Sequence, residues 1–168
     1  MTRKIGIVCC SDGFNRAYEG EIEELHRILA DMGIESVLSQ FLYARDGVAS
    51  GTAEERAKAV MDFYLDDTID AICDISGGDI ANGILPYLDY SVIAKMDKQF
   101  WGYGDLTTIL NAIYAKTGQT GVLYQIRNVL YKERKQQMAD VRDVLCEGGD
   151  ALYRIDYHYV QEIGRAHV

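Results

Sequence analysis

Two short stretches of this chain combine glycines and carboxylates in patterns that could do chemistry. The first is Ser76-Gly77-Gly78-Asp79. Paired glycines let a backbone turn sharply and bring its N–H groups close to a ligand. Such a loop can serve as an oxyanion hole, with an N–H aimed at a developing negative oxygen. It can equally be a phosphate loop or an ordinary glycine turn, and the four residues alone do not separate the three. The second stretch is Gly102-Tyr103-Gly104-Asp105-Leu106. An apolar run that ends in a tight turn and opens directly into a helix is where a nucleophile elbow forms, and the helix N-terminus then favours negative charge at the turn. The central position, however, is Gly104, which carries neither hydroxyl nor thiol. A third loop, Ser11-Asp12-Gly13-Phe14-Asn15, could turn its amides toward an anion, although a polar strand-to-helix turn is the simpler reading.

Other chemistry is poorly supplied. His26 falls on the polar side of a helical pattern and reads as a solvated surface residue; His158, in Tyr157-His158-Tyr159, reads as part of a strand. No Ser-His-acid set suggests itself, and no pair of His or Cys stands at metal-ligand spacing, so neither a metal nor another cofactor is expected. Cys9, Cys10 and Cys73 lie in apolar runs, where a free thiol behaves as a small hydrophobe; this cysteine usage points to a reducing, cytoplasmic setting. Lys plus Arg number 17 against 26 Asp plus Glu, a formal net charge of −9, which argues against a nucleic-acid or anionic-membrane binder. No run approaches the roughly 18 apolar residues of a membrane span, and the N-terminal apolar run Ile5 to Cys10 reads as a strand rather than a signal peptide.

The elements that must position these loops alternate along 168 residues, the length of one domain. Strands are predicted at Ile5–Cys10, Ser36–Gln40, Ala71–Ile75, Gln99–Tyr103 and Val122–Ile126, with a last strand-like run at Tyr153–Val160. Between them, Ile22, Leu25, Ile28, Leu29 and Met32 form one helix face that Gly33 ends. Thr52 and Glu55 make a capping box for a helix running toward Asp67. Short helical pieces are expected near Pro86 and after Ser91, and longer helices over Asp105–Lys116 and Lys132–Cys146. Strands alternating with helices imply right-handed βαβ units and an α/β fold: a parallel sheet with helices on both faces, flavodoxin-like or class I amidotransferase-like. In such sheets ligands bind at the carboxyl ends of the strands, where all three loops would lie.

Taken together, Ser76-Gly77-Gly78-Asp79-Ile80-Ala81-Asn82-Gly83-Ile84-Leu85-Pro86-Tyr87-Leu88-Asp89-Tyr90 and Phe100-Trp101-Gly102-Tyr103-Gly104-Asp105-Leu106-Thr107-Thr108 resemble the serine LD-carboxypeptidases, also called muramoyltetrapeptide carboxypeptidases, a family that includes the microcin C immunity peptidases. The stretch from Thr52 to Asp67 resembles that family's second helix. The resemblance implies a metal-independent hydrolase that removes a C-terminal residue from a murein-type peptide or a peptide–nucleotide conjugate by acyl transfer. Its elbow serine would stand at position 104. The N–H of Asp105 and that of Gly78, or of Gly77, would hold the oxyanion, while Asp79, Asn82 and Ser11 would border the substrate. A small peptide is the expected partner, and a homodimer is compatible with the pattern.

The chain departs from the family in three ways. Gly104 replaces the nucleophile, so the chain as written is expected to be inactive. The family often follows the elbow helix with His-Gly-Pro, whereas this chain has Val122-Leu123-Tyr124-Gln125-Ile126-Arg127-Asn128. The family's Glu and His come from a β-rich C-terminal domain that should begin near the end of this sequence. Residues 1–148 therefore read as the nucleophile domain and 149–162 as a linker and the start of the second domain. Ile163-Gly164-Arg165-Ala166-His167-Val168 reads as the translation of a common sequencing adapter, which removes His167 as a catalytic candidate. Two other readings compete: a peptide-binding pseudo-enzyme, and a nucleotide-binding enzyme of the Gly-Gly-Asp type, for which no phosphate-binding lysine is evident.

Overall fold

A computed structural model describes residues 3–45, 47–131 and 133–149. Five strands form one sheet: β1 (Arg3–Val8), β2 (Ile34–Leu38), β3 (Ala71–Asp74), β4 (Gln99–Gly102) and β5 (Val122–Leu123). The spatial order is β2-β1-β3-β4-β5, and every pairing is parallel. The central strands are short, and β3 and the Ile5–Val8 end of β1 are buried throughout because both faces are covered, as in a parallel sheet. Ile5, Ile7 and Cys73 face one side, with α1 (Glu19–Asp31) and α5 (Arg134–Arg142) packed on it. Val8, Ile72 and Phe100 face the other, under α2 (Ala53–Leu65), the short α3 (Tyr90–Ile93) and α4 (Thr107–Thr117). The α/β class, the parallel sheet and the two-sided helix layer are thus as expected.

Local signals hold in detail. Ile22, Leu25, Ile28, Leu29 and Met32 are all buried, and Gly33 ends that helix at φ +78°. Thr52 and Glu55 form the reciprocal capping box. Several boundaries move, among them β1, which runs Arg3–Val8 rather than Ile5–Cys10. β2 starts at Ile34, two residues before the predicted Ser36, because Ile34 is buried and pairs with Arg3 immediately after the Gly33 turn. β5 stops at Leu123 rather than Ile126, because the Gln125 side chain caps a 3₁₀ turn at Ile126–Leu130. The last helix is regular over Arg134–Arg142 and widens into a π turn at Asp143–Glu147. The predicted strand at Tyr153–Val160, His158 and the tail 163–168 lie outside the described residues. Among the described residues no helix is long and apolar enough to cross a membrane.

The strand order decides where chemistry can sit. From β1 the chain turns one way to β2 and the other way to β3, so the crevice between their carboxyl ends is the sheet's switch point. With β4 beside β3, the loops after β1, β3 and β4 converge on one edge of the sheet.

Candidate active site

The convergence rests on a buried carboxylate. Asp74 ends β3 and is fully buried. It accepts hydrogen bonds from the Cys10 N–H (2.7 Å), the Ser76 N–H (2.6 Å) and the Ser76 hydroxyl (2.5 Å). Burial pushes its carboxyl above the usual range, against the opposing pull of those hydrogen bonds. The Ser76 oxygen in turn accepts the Ser11 N–H at 3.1 Å. The loop after β1 is thereby tied to the loop after β3 at its root.

This wiring consumes the first loop. The N–H groups of Ser11, Asp12, Gly13 and Phe14 donate to Ser76, Gly77, Val48 and Leu42 respectively. None of the four is left to face an anion, so the Ser11–Asn15 turn is a structural turn. Ser11, expected to contact substrate, is instead fully buried: its hydroxyl donates to Asp105 Oδ2 at 2.6 Å and accepts the Ile80 N–H at 3.1 Å.

The glycine loop is wired the opposite way. The Ser76 carbonyl accepts from Gln125 Nε2 at 3.2 Å, and the Gly77 carbonyl accepts the Asp12 N–H at 3.0 Å. In a trans peptide the C=O and the following N–H point in opposite directions. Anchoring these two carbonyls on the protein therefore turns the Gly77 and Gly78 N–H groups away from it. Neither donates to any described residue. Gly78 sits at φ +133°, a region open only to glycine, and a Cβ there would lie 2.5 Å from Asp12 Oδ1 and 2.7 Å from Ser11 Oγ. Asp79 and Asn82 are exposed on the rim of the same loop.

The third loop has the expected elbow form. β4 ends at Gly102, Tyr103 is extended and exposed, and Gly104 opens a 3₁₀ turn (Gly104–Leu106) that runs into α4. Gly104 is exposed at φ +66°, left-handed, and a Cβ there would meet no atom within 4 Å. Thr107 and Thr108, the nearby hydroxyls, donate back to the Gly104 and Asp105 carbonyls, each at 2.8 Å. Asp105 turns inward, where its Oδ2 also accepts the Ala81 N–H at 3.1 Å. One carboxylate thus bridges all three loops.

Two contributors were not read from the sequence. Arg56 of α2 is buried and donates to the carbonyls of Cys10 and Ile80, the latter at 3.2 Å. The signal was present: Arg56, Val60 and Phe63 share one stripe of α2, so a cation stands on the apolar face. Arg127 reaches the Ile75 carbonyl at 3.5 Å, pairs with Glu21 at 2.8 Å and lies over the Phe14 ring. Replacing Arg56 by Met is expected to cost about 1–3 kcal/mol in urea unfolding, because it strands the buried Cys10 carbonyl, whereas the Ile80 carbonyl keeps the Gly83 N–H. His26, predicted to be solvated, is partly buried against the Ser36 hydroxyl, and that burial lowers its pKa.

Comparison with known proteins places this arrangement. The family described as the LD-carboxypeptidase N-terminal domain matches residues 5–125, which contain all three loops. The microcin C7 self-immunity protein MccF of Escherichia coli is 38% identical over 104 residues, which are 62% of this chain and 29% of that protein. A Bacillus subtilis protein named probable murein peptide carboxypeptidase is 32% identical over 90 residues, 54% of this chain and 28% of that protein. The structure of MccF in complex with glutamyl sulfamoyl guanosine superposes with a TM-score of 0.75 at 25% identity, over 86% of this chain and 44% of that one. The muramoyltetrapeptide carboxypeptidase from Oxalobacter formigenes shares the fold, with a TM-score of 0.67 at 18% identity over 85% of this chain and 48% of that one. The chain therefore spans under a third of these curated relatives and under half of these solved chains. With a family match over most of its length and the family's loops gathered at the sheet's switch point, the chain belongs to the LD-carboxypeptidase N-terminal domain family.

Proposed function

We propose that this chain is the nucleophile domain of a serine-type LD-carboxypeptidase, built to hold a murein-type peptide or a peptide–nucleotide conjugate at its C-terminal residue. With Gly104 at the nucleophile position, it holds that ligand without cleaving it. The observation that carries this reading is the elbow itself. Gly104 is left-handed, exposed and unobstructed, one residue before Asp105 and beside a glycine loop whose N–H groups are turned outward. A serine there would project its hydroxyl into open space, with the Asp105 and Gly78 N–H groups holding the oxyanion, and the Glu and His of a triad would come from a β-rich domain beyond these residues. Glycine retains the backbone and the N–H donors but supplies no nucleophile.

The intact donors around an absent nucleophile favour a binding role for the chain as written over turnover. The test is a titration of the amide-labelled chain with a murein tetrapeptide. The Gly77, Gly78 and Asp105 resonances should shift saturably, with no release of the terminal residue. Resonances that stay fixed at millimolar peptide would contradict the reading.

A further inference from the structure

We infer that Ser11 and the Asp105 carboxylate form a positioning pair, which keeps the Gly78 and Asp105 N–H groups aimed at one point. This rests on the proposed anion-holding role of those two amides and adds the side chains that aim them.

Asp105 supplies its N–H to the elbow and its carboxylate to the interior. That carboxylate takes the Ser11 hydroxyl at 2.6 Å and the Ala81 N–H at 3.1 Å on the same oxygen, Oδ2. Ser11 then accepts the Ile80 N–H at 3.1 Å, two residues beyond Gly78. The segment Gly78–Ala81 is held on its far side by these two bonds, and on its near side by the Asp12 N–H to the Gly77 carbonyl. Ser11 and Asp12 are consecutive, so the same turn grips both ends of the loop. Asp12 and Ser11 Oγ close off the place where a Cβ at Gly78 would stand, at 2.5 Å and 2.7 Å.

The pair is buried at Ser11, which is wholly inaccessible, so the hydroxyl has no ligand-contacting role left to explain its presence. A hydroxyl both donates and accepts. Here both capacities are used, and they join the elbow to the glycine loop. An alanine at position 11 would remove both bonds while leaving the backbone N–H of residue 11 on Ser76 Oγ.

The experiment is amide hydrogen exchange on the chain and its Ser11→Ala and Asp105→Asn variants, with the murein tetrapeptide titration run on each. Ser11→Ala should lower the protection of the Asp12 and Ala81 amides at least tenfold, although neither N–H bonds to Ser11. The Ile72 amide in the sheet should change less than threefold. Asp105→Asn keeps a carbonyl oxygen that can accept both bonds, so its Asp12 and Ala81 amides should stay within threefold of the parent. Peptide affinity should fall tenfold or more in Ser11→Ala. Loss of protection confined to Ile80, the direct partner, would overturn the inference, as would equal peptide affinity in Ser11→Ala and the parent. If Asp12 and Ala81 respond while the parent binds no peptide, the pair stands and the proposed function fails.

Discussion

A Gly78→Ala chain is expected to fold poorly and to lose its response to peptide, whereas a Gly77→Ala chain is expected to be nearly silent. The two residues are neighbours in one loop, both exposed, so the contrast isolates backbone geometry from position. Gly78 stands at φ +133°, where any side chain is strained. Its Cβ would also fall 2.5 Å from Asp12 Oδ1, 2.6 Å from Asp12 Cγ and 2.7 Å from Ser11 Oγ. Ser11 cannot give way, being held by Asp105 and Ile80, and moving Asp12 pulls on the bond that aims the Gly78 N–H. Strain and overpacking together are expected to cost about 2–4 kcal/mol, a large share of the roughly 5–15 kcal/mol that holds a domain folded. A Cβ at Gly77 meets nothing within 4 Å and its φ is not in the left-handed range, so the expected change is within about 0.5 kcal/mol. Urea unfolding and the peptide titration, run on both variants, check the pair. Equal effects at the two glycines would show that the loop is not held in the geometry described.

Asp74→Ala should be the most destabilising side-chain truncation at the site. It strands the Cys10 N–H, the Ser76 N–H and the Ser76 hydroxyl in a fully buried place. A buried donor without a partner costs about 1–3 kcal/mol. Because the hydroxyl can turn to another acceptor, the sum is expected near 3–5 kcal/mol by urea unfolding. Asp74 also sets a pH dependence whose sign is fixed. Burial raises its folded pKa above the ordinary carboxyl value, so the native state keeps the proton that the unfolded chain has lost. Stability from this group is therefore fully present below the unfolded pKa of about 4. It declines as pH rises through the folded pKa, above which the loss is complete. The stability gap between the parent and the non-titrating Asp74→Asn should narrow as pH rises through that window. A gap that widens with pH would mean that the hydrogen bonds outweigh burial.

Much of this was legible in the sequence, and the rest was hidden for physical reasons. Alternating apolar runs and amphipathic stretches gave the α/β class, and Thr52–Glu55 and Gly33 marked helix ends that the structure keeps. These signals are local: a capping box or a helix stripe depends on residues three or four apart. The elbow at Gly104 was legible for the same reason, since strand, turn and helix are contiguous. What a hydroxyl or carboxylate bonds to across the fold is not local. Ser11 and Asp105 are 94 residues apart, and nothing in either neighbourhood announces their bond. Asp74 is one polar residue inside the apolar run Ala71–Ile75, and only the pairing of β1 with β3 puts Cys10 against it. The edges of the sheet were misjudged where side chains, not periodicity, set the boundary: Gln125 ends β5 by capping the next turn.

Position 104 is the proposed place of the nucleophile. The most direct measurement is release of the terminal amino acid from a murein tetrapeptide by two forms of the full-length protein, identical except for Gly or Ser at position 104. The Ser form is expected to turn over, and the Gly form to fall about six orders of magnitude below it while binding the peptide with similar affinity. Release at comparable rates from both forms would contradict the claim that the residue at this elbow does the attacking.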